Sequence, residues 1–182
     1  LAAAKRQSAT RGRESAGRML ARRSPRSPRR GGPPSHRLLD EVVDGFMERE
    51  CHVANIDIVK EYAPRLPQIL IDADQMRQVV LNLVNNAVDA IAGPGKITLK
   101  TSIHDDVVTM TVSDTGKGIP HEHMGKIFSP FFTTKEAGKG TGLGLAISLS
   151  IVEAMGGRMD VQSLPGAGTS FMITLPVRRS AG

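Results

Sequence analysis

The chain has 182 residues, enough for one domain with a buried core, and its single cysteine excludes an internal disulfide and a cysteine-built zinc site. The net charge of +6 arises at one end, because residues 1–35 carry ten Lys or Arg against one Glu and the remainder sums to −3. No stretch approaches the roughly 18 to 20 apolar residues that span a bilayer, so the sequence predicts a soluble, cytoplasmic piece.

Residues 1–35 are rich in Arg, Ser, Gly and Pro and hold few large apolar side chains. Such a segment cannot bury enough surface to offset the entropy of ordering, which predicts a disordered basic tail. Its arginines suit phosphate contacts with nucleic acid, but no aromatic residue is present to stack on bases, so a solvated linker is the favoured interpretation. We expect one folded domain at residues 36–178 and a short tail at 179–182.

Apolar periodicity predicts alternating helices and strands, with Asp72 or Asp74 as the cap of the second helix. This order predicts an α+β fold, a two-layer α/β sandwich with a mixed, mostly antiparallel sheet of about five strands against three helices on one face. The predicted elements are a helix at 38–51, a strand near 56–59, an apolar run at 69–71, a helix ending at Gly93-Pro94-Gly95, a hairpin at 97–112, a Gly- and Phe-rich connection at 114–141, a helix at 142–155 and a hairpin at 159–175.

The second predicted helix carries polar side chains at positions i, i+3, i+4 and i+7, namely Asn82, Asn85, Asn86 and Asp89. They share one face opposite the apolar stripe. A solvated face is the simple interpretation, although asparagine costs a helix roughly 0.5 kcal/mol per residue relative to alanine. The alternative is a functional face, because amide oxygens suit magnesium that also keeps water and phosphate oxygens as ligands.

Asp114 ends a predicted strand and is followed by Gly116 and Gly118. A turn explains this pattern, since Asp and Gly favour turns. A carboxylate at a strand end, next to glycines that admit a flat ligand, would also accept a hydrogen bond from an exocyclic amine.

Three glycines, Gly140, Gly142 and Gly144, precede the third predicted helix. Glycines there allow the unpaired backbone N–H groups of the first turn to approach phosphate oxygens. The segment matches neither GxGxxG nor GxxxxGK[ST], so it is a phosphate loop of another kind or a flexible hinge.

Three of the five phenylalanines fall within residues 128–132. A satellite hydrophobic cluster beneath a long loop is the ordinary explanation. The alternatives are an anchor for a mobile lid over a nucleotide and a docking patch for a partner.

Taken together and in order, four segments resemble the N box, first glycine box, F box and second glycine box of sensor histidine kinases: NLVNNAVDA (82–90), DTGKGIP (114–120), IFSPFFTTK (127–135) and GTGLGLAIS (140–148). The resemblance extends from about residue 38 to 177. It implies the ATP-binding catalytic domain, a Bergerat-fold sandwich shared with type II topoisomerase, mismatch-repair and heat-shock chaperone ATPases.

The resemblance also implies roles for individual residues. Asn86 would coordinate Mg²⁺, with Asn82 supporting the metal and phosphates one turn earlier, and Lys135 would act with them in catalysis. Asp114 would receive the adenine amine with Thr169 beside it, probably through water, and the glycines at 116 and 118 would give the base room. A lid would cover residues 133–139. The full set implied for ATP is Asn82, Asn86, Asp114, Gly116, Gly118, Ile119, Phe131, Thr133, Thr134, Lys139, Gly140, Thr141, Gly142, Leu143, Gly144, Leu145 and Thr169.

Two positions depart from what the resemblance leads one to expect. Asp89 stands where a Lys or Arg often reaches the phosphates, and Lys135 or Lys139 would take over that contact. Asp89 and the wording SPFFTTK are most similar to the nitrogen-regulatory branch. Asn82 stands where the related chaperone and mismatch-repair hydrolases carry a Glu, which disfavours the alternative function of an ATP-gated conformational ATPase module.

The reaction implied is phosphoryl transfer from ATP to a histidine on a dimerisation domain, followed by relay to a response-regulator aspartate. None of the five histidines is followed by the acidic residue and Pro-Leu turn of the family's phosphoacceptor, these being His36, His52, His104, His121 and His123. We therefore expect the chain to bind Mg-ATP without phosphorylating itself on histidine, to dimerise only through an upstream domain, and to belong to a cytoplasmic or membrane-anchored sensor.

Overall fold

The computed structural model describes residues 55–67, 69, 71–136 and 140–177. The tails predicted at 1–35 and 179–182, the helix predicted at 38–51 and Lys139 lie outside the described residues. Among the residues that the structure describes, no helix is both long enough and apolar enough to cross a membrane.

Five strands form one mixed sheet with the spatial order β1-β2-β3-β5-β4. β1 pairs in parallel with β2, whereas the other three pairings are antiparallel. The strands are β1 (Ile56–Glu61), β2 (Gly95–His104), β3 (Val107–Asp114), β4 (Arg158–Leu164) and β5 (Gly168–Pro176).

Three helices are described, α1 (Ala73–Ala90), the one-turn α2 (His121–Met124) and α3 (Gly144–Ala154). α1 begins where it does because the Asp72 carboxylate accepts hydrogen bonds from the backbone N–H groups of Asp74 and Gln75, at 3.0 and 3.1 Å. Its apolar stripe is buried against the sheet, at Met76, Val79, Val80, Leu83, Val84 and Ala87. α1 also packs on α3, and α3 reaches β4.

Strand alternation places the hydrophobic core between the helices and one face of the sheet. In β3 every second residue is buried, beginning with Val108 and ending with Asp114. In β5 the same alternation runs from Thr169 to Leu175. Two polar side chains therefore continue the buried face of the sheet at the strand ends nearest α1.

The predicted α+β architecture with about five strands in a mixed sheet is confirmed, and Asp72 is the cap of α1. Three details differ. α3 begins at Gly144 and not at residue 142, because Gly142 is held at a φ of +66°, outside helical geometry. α2 interrupts the connection expected to be irregular, and Ile69 and Ile71 are buried but belong to no described strand.

Candidate functional site

A cavity of about 340 Å³ opens between the C-terminal part of α1, the ends of β3 and β5, and the segment that precedes α3. Its volume falls within the range of roughly 300 to 1,000 Å³ that is usual for ligand sites. Nine residues selected from the sequence line it together: Asn86, Asp114, Gly118, Ile119, Thr133, Thr134, Lys135, Leu145 and Thr169.

Asp114 is the buried carboxylate of this cavity and is only 9% exposed. Its Oδ1 atom accepts hydrogen bonds from the backbone N–H groups of Gly116 at 2.8 Å and Thr169 at 3.3 Å. Burial raises the pKa of the Asp114 carboxyl, and these two hydrogen bonds lower it. Within the described part of the chain Oδ2 has no hydrogen-bond partner, so one oxygen remains to accept a bond from a ligand.

Thr169 lies beside Asp114 because their strands pair in register. β3 and β5 are antiparallel, with Asp114 opposite Thr169. Both side chains belong to the buried face of the sheet. Strand periodicity and pairing thus place a carboxylate and a hydroxyl side by side at the inner end of the cavity.

The glycines after Asp114 are required by protein packing. A Cβ atom at Gly116 would lie 2.5 Å from the carbonyl oxygen of Ala90, and one at Gly118, whose φ is +69°, would lie 2.2 Å from the carbonyl oxygen of Leu164. The sequence interpretation, that both glycines are needed to give a base room, is therefore corrected, because any side chain there would first collide with backbone.

At the opposite end of the cavity, Lys135 reaches the polar face of α1. Its Nζ atom donates to Oδ1 of Asn86 at 3.3 Å and pairs with Oδ2 of Asp89 at 2.5 Å. Thr133 fixes the backbone of Lys135, whose N–H donates to the Thr133 hydroxyl at 3.1 Å. Gly140 packs over both, since a Cβ atom there would lie 2.9 Å from Thr133 Oγ1 and 3.1 Å from Lys135 Cδ.

Asn82 lies outside the cavity wall and joins α1 to the first turns of α3. Its Nδ2 atom donates to the carbonyl oxygen of Gly144 at 3.2 Å and to the Ser148 hydroxyl at 3.1 Å. Asn85 is exposed. The polar face of α1 therefore divides into a residue that orients α3, an exposed residue, and a pair that meets Lys135.

The start of α3 shows two glycines with different roles. A Cβ atom at Gly142 would lie 2.4 Å from the carbonyl carbon of Phe131, so the protein itself requires this glycine. A Cβ atom at Gly144 would lie no closer than 3.7 Å to any neighbour, an ordinary contact. Leu143, the N-cap residue, provides no side-chain hydrogen bond to the first turn of α3. The N–H groups of that turn therefore lack a side-chain cap.

The three phenylalanines of residues 128–132 divide between core and surface. Phe128 makes an edge contact with Phe171, with ring centroids 6.5 Å apart. Phe132 lines the cavity and contacts the His123 ring at 5.4 Å. Phe131 is 75% exposed at a φ of +66° and lies outside the wall. The sequence selected Phe131, whereas the structure places Phe132 in the wall.

Other selected residues lie near the cavity but outside its wall, namely Gly116, Gly140, Thr141, Gly142, Leu143 and Gly144. The sequence analysis assigned no ligand role to several wall residues: Asp89, Ala90, Lys117, Pro120, His123, Ile127, Phe132 and Phe171. Only one of these carried a readable signal, since Phe171 lies two residues from Thr169 on the same strand face.

The chain belongs to the family of histidine kinase-, DNA gyrase B- and HSP90-like ATPases, because the profile of that family matches residues 71–179. The matched range contains α1 to β5 and hence every described residue of the cavity wall. The recognition made from the four motifs is confirmed.

The relatives that the chain resembles are sensor histidine kinases. ZraS of Escherichia coli (strain K12) is 46% identical over 112 residues, which are 62% of this chain and 24% of ZraS. NtrB of Vibrio alginolyticus, a sensory histidine kinase/phosphatase, is 38% identical over 156 residues, which are 79% of this chain and 43% of NtrB. The chain thus spans less than half the length of either relative.

Solved structures agree with this assignment. The nucleotide-free catalytic domain of histidine kinase ThkA superposes with a TM-score of 0.72 at 35% identity, covering 80% of this chain and 93% of that domain. Full-length ShkA in complex with AMPPNP gives 0.72 at 33% identity, covering 82% and 32%. ThkA in complex with the response regulator TrrA gives 0.69 at 31%, covering 80% and 41%. The chain carries an ATP-binding domain of the sensor histidine kinase type.

Proposed function

We propose that this domain binds Mg-ATP and supplies the γ-phosphoryl group to a histidine on a dimerisation domain, for relay to a response-regulator aspartate. The observation that carries the proposal is Asp114, a buried carboxylate that keeps one free oxygen at the wall of a ligand-sized cavity. Burying a carboxylate costs free energy, and a ligand that donates a hydrogen bond offsets this cost.

The base end of the cavity fits adenine. The Asp114 carboxylate accepts a hydrogen bond from the exocyclic amine, and the Thr169 hydroxyl lies beside it. Ile119, Ile127 and Phe132 provide apolar wall around a flat ring. AMPPNP in the similar ShkA structure supports the assignment of an adenine nucleotide.

The other end fits a magnesium-bound triphosphate. The described residues contain no cluster of three or more His, Cys, Asp or Glu, so a metal here needs ligand oxygens besides those of the protein. The Asn86 amide oxygen is a hard neutral ligand suited to Mg²⁺ that keeps water and phosphate oxygens. When bound, the ion neutralises phosphate charge.

Two groups of the chain would contact the phosphates directly. Lys135 brings an ammonium to Asn86 Oδ1, within 3.3 Å. The uncapped first turn of α3 offers backbone N–H groups and the positive end of the helix dipole. The chain's own contribution is therefore to position the triphosphate and to offset its charge.

A histidine-bearing dimerisation domain and a response-regulator receiver domain are the proposed partners. The ThkA structure with TrrA supports the second, and the names of the relatives support the first. The basic tail, the domain boundaries, the cytoplasmic location and the nitrogen-regulatory branch stay predictions.

The alternative function, an ATP-gated conformational module that hydrolyses ATP, finds no support at Asn82. Its amide is committed to Gly144 and Ser148, and an amide cannot act as a base toward water. Slow hydrolysis is the expected behaviour.

Transfer is tested by incubating the chain with γ-labelled ATP, alone and with a histidine-bearing dimerisation domain from one of the sensor kinase relatives. Acid-labile label on the added domain, and none on the chain alone, is expected. Asp114→Asn should reduce the label, whereas Asp105→Asn, in the exposed turn between β2 and β3, should not. Acid-labile histidine label on the chain alone would contradict the proposal.

A further inference from the structure

Ser163 on β4 belongs to a row of polar residues that crosses three adjacent strands. In the sheet register Ser163 lies opposite Thr169, and Thr169 lies opposite Asp114. The row therefore leads from the proposed base contacts to a strand that the site description has not used.

The Ser163 hydroxyl makes three contacts, each to a different part of the base end. It accepts a hydrogen bond from the backbone N–H of Ile119 at 2.8 Å and donates to the carbonyl oxygen of Gly168 at 3.0 Å. Its Oγ atom also lies 2.9 Å from Oγ1 of Thr169. Two of these partners, Ile119 and Thr169, are cavity wall.

Counting protons sets the direction of the third contact. A hydroxyl has one proton to donate and two lone pairs to accept with. Ser163 donates its proton to Gly168 O, so the Thr169 hydroxyl must donate to Ser163. Oγ1 of Thr169 is then left with lone pairs only, beside the free oxygen of Asp114.

We propose that Ser163 is a positioning residue for recognition of the base amine, an inference that rests on the proposed function. It holds the Thr169 hydroxyl with its lone pairs toward the ligand, and it fixes Ile119 against the same edge. The base end thereby presents acceptors, which favour a purine carrying an exocyclic amine, or a water that this amine orients.

The next residue row provides a matched control. Ser170 follows Thr169 on β5 and points to the opposite face of the sheet, where its hydroxyl hydrogen-bonds that of Ser113. Both serines are half-buried and both bond another hydroxyl. Ser170→Ala removes a similar hydrogen bond from the same strands without touching the cavity wall.

The test compares calorimetric affinities for Mg-ATP and for the magnesium complex of purine riboside triphosphate, which lacks the amine. Ser163→Ala should weaken ATP about three- to tenfold, the value of one or two hydrogen bonds, and leave purine riboside triphosphate nearly unchanged. Ser163→Thr should restore the preference for ATP. Ser170→Ala should keep it.

A second readout separates positioning from folding. If Ser163 acts through Thr169, the losses of ATP affinity in Ser163→Ala and Thr169→Val are smaller together than their product. Should Ser163→Ala fail to fold, Ser163→Cys carries the same comparison, because a thiol is a weak donor and acceptor.

Equal losses for both ligands, or an unchanged ratio in a folded Ser163 variant, would overturn the inference while the unmodified chain still binds Mg-ATP. An unmodified chain that binds neither ligand would overturn the proposed function and this inference with it.

Discussion

The Nζ atom of Lys135 lies 2.5 Å from Oδ2 of Asp89 and, at the same time, 3.3 Å from Oδ1 of Asn86. The side chains of the pair are 34% and 53% exposed, so the ion pair contributes only about 0.2 to 1 kcal/mol to stability. Its consequence is one of placement. A helix face that lacks its own cation receives one from the segment before α3.

Lys135→Ala should therefore weaken ATP more than ADP. Losing a charge-assisted contact to the terminal phosphate of ATP is expected to lower affinity about tenfold once partial exposure is allowed for, and ADP lacks that phosphate. Calorimetry with both Mg-nucleotides measures the difference. Lys100→Ala, which removes an exposed lysine paired with Glu61 on the edge of the sheet, is the control. Equal losses for ATP and ADP would exclude a terminal-phosphate contact.

A cation placed on α1 itself should substitute for Lys135. Asp89→Lys in the Lys135→Ala background is expected to recover part of the lost ATP affinity, because position 89 lines the same cavity one turn from Asn86. Asp89→Asn in that background removes only the carboxylate and should recover less. If both double variants bind ATP alike, the charge at position 89 does not reach the phosphates.

The two glycines at the start of α3 should separate folding from ligand binding. Gly142→Ala should destabilise the protein, since its φ is positive and its Cβ would collide with Phe131. Gly144→Ala should fold normally, as alanine is about 1 kcal/mol better than glycine in a helix, yet bind ATP more weakly if phosphates approach that turn. Thermal unfolding and titration are read together, with Gly125→Ala, a site with open space, as the control.

Asp114 should make stability depend on pH. Burial raises the pKa of its carboxyl above the ordinary value of 3.8, although hydrogen bonds from Gly116 and Thr169 lower it. The carboxyl then stabilises the folded state fully below the pKa of the unfolded chain, and this contribution is lost as pH rises through the raised pKa. Nucleotide-free Asp114→Asn should therefore gain stability relative to the unmodified chain at pH 7 and lose this advantage toward pH 4. Denaturant unfolding at both pH values measures it, with Asp105→Asn as control.

The sequence predicted those parts of the fold and site that depend on local pattern. Asp72 could be identified as a cap because it precedes an apolar helical stripe, and Asp114 because it continues the alternation of β3. Both features need only the residues of their own element. The motif resemblance then brought nine wall residues together without any knowledge of their contacts.

The rest depended on partners distant in sequence. Ser163 became visible only when the register of β4 and β5 placed it opposite Thr169. The need for Gly116 comes from the end of α1, which the sequence could not show. Phe131 and Phe132 lie in a segment without regular periodicity, where alternation cannot tell which ring faces the cavity.

The central claim is that Asp114 receives the base of Mg-ATP, and the direct measurement is calorimetric titration of the chain and of Asp114→Asn with Mg-ATP. Loss of a buried hydrogen bond to a charged acceptor predicts a fall in affinity of about 1 to 3 kcal/mol, or roughly 5- to 150-fold, with the variant still folded. Equal affinity of the two proteins for Mg-ATP would contradict the assignment of the site.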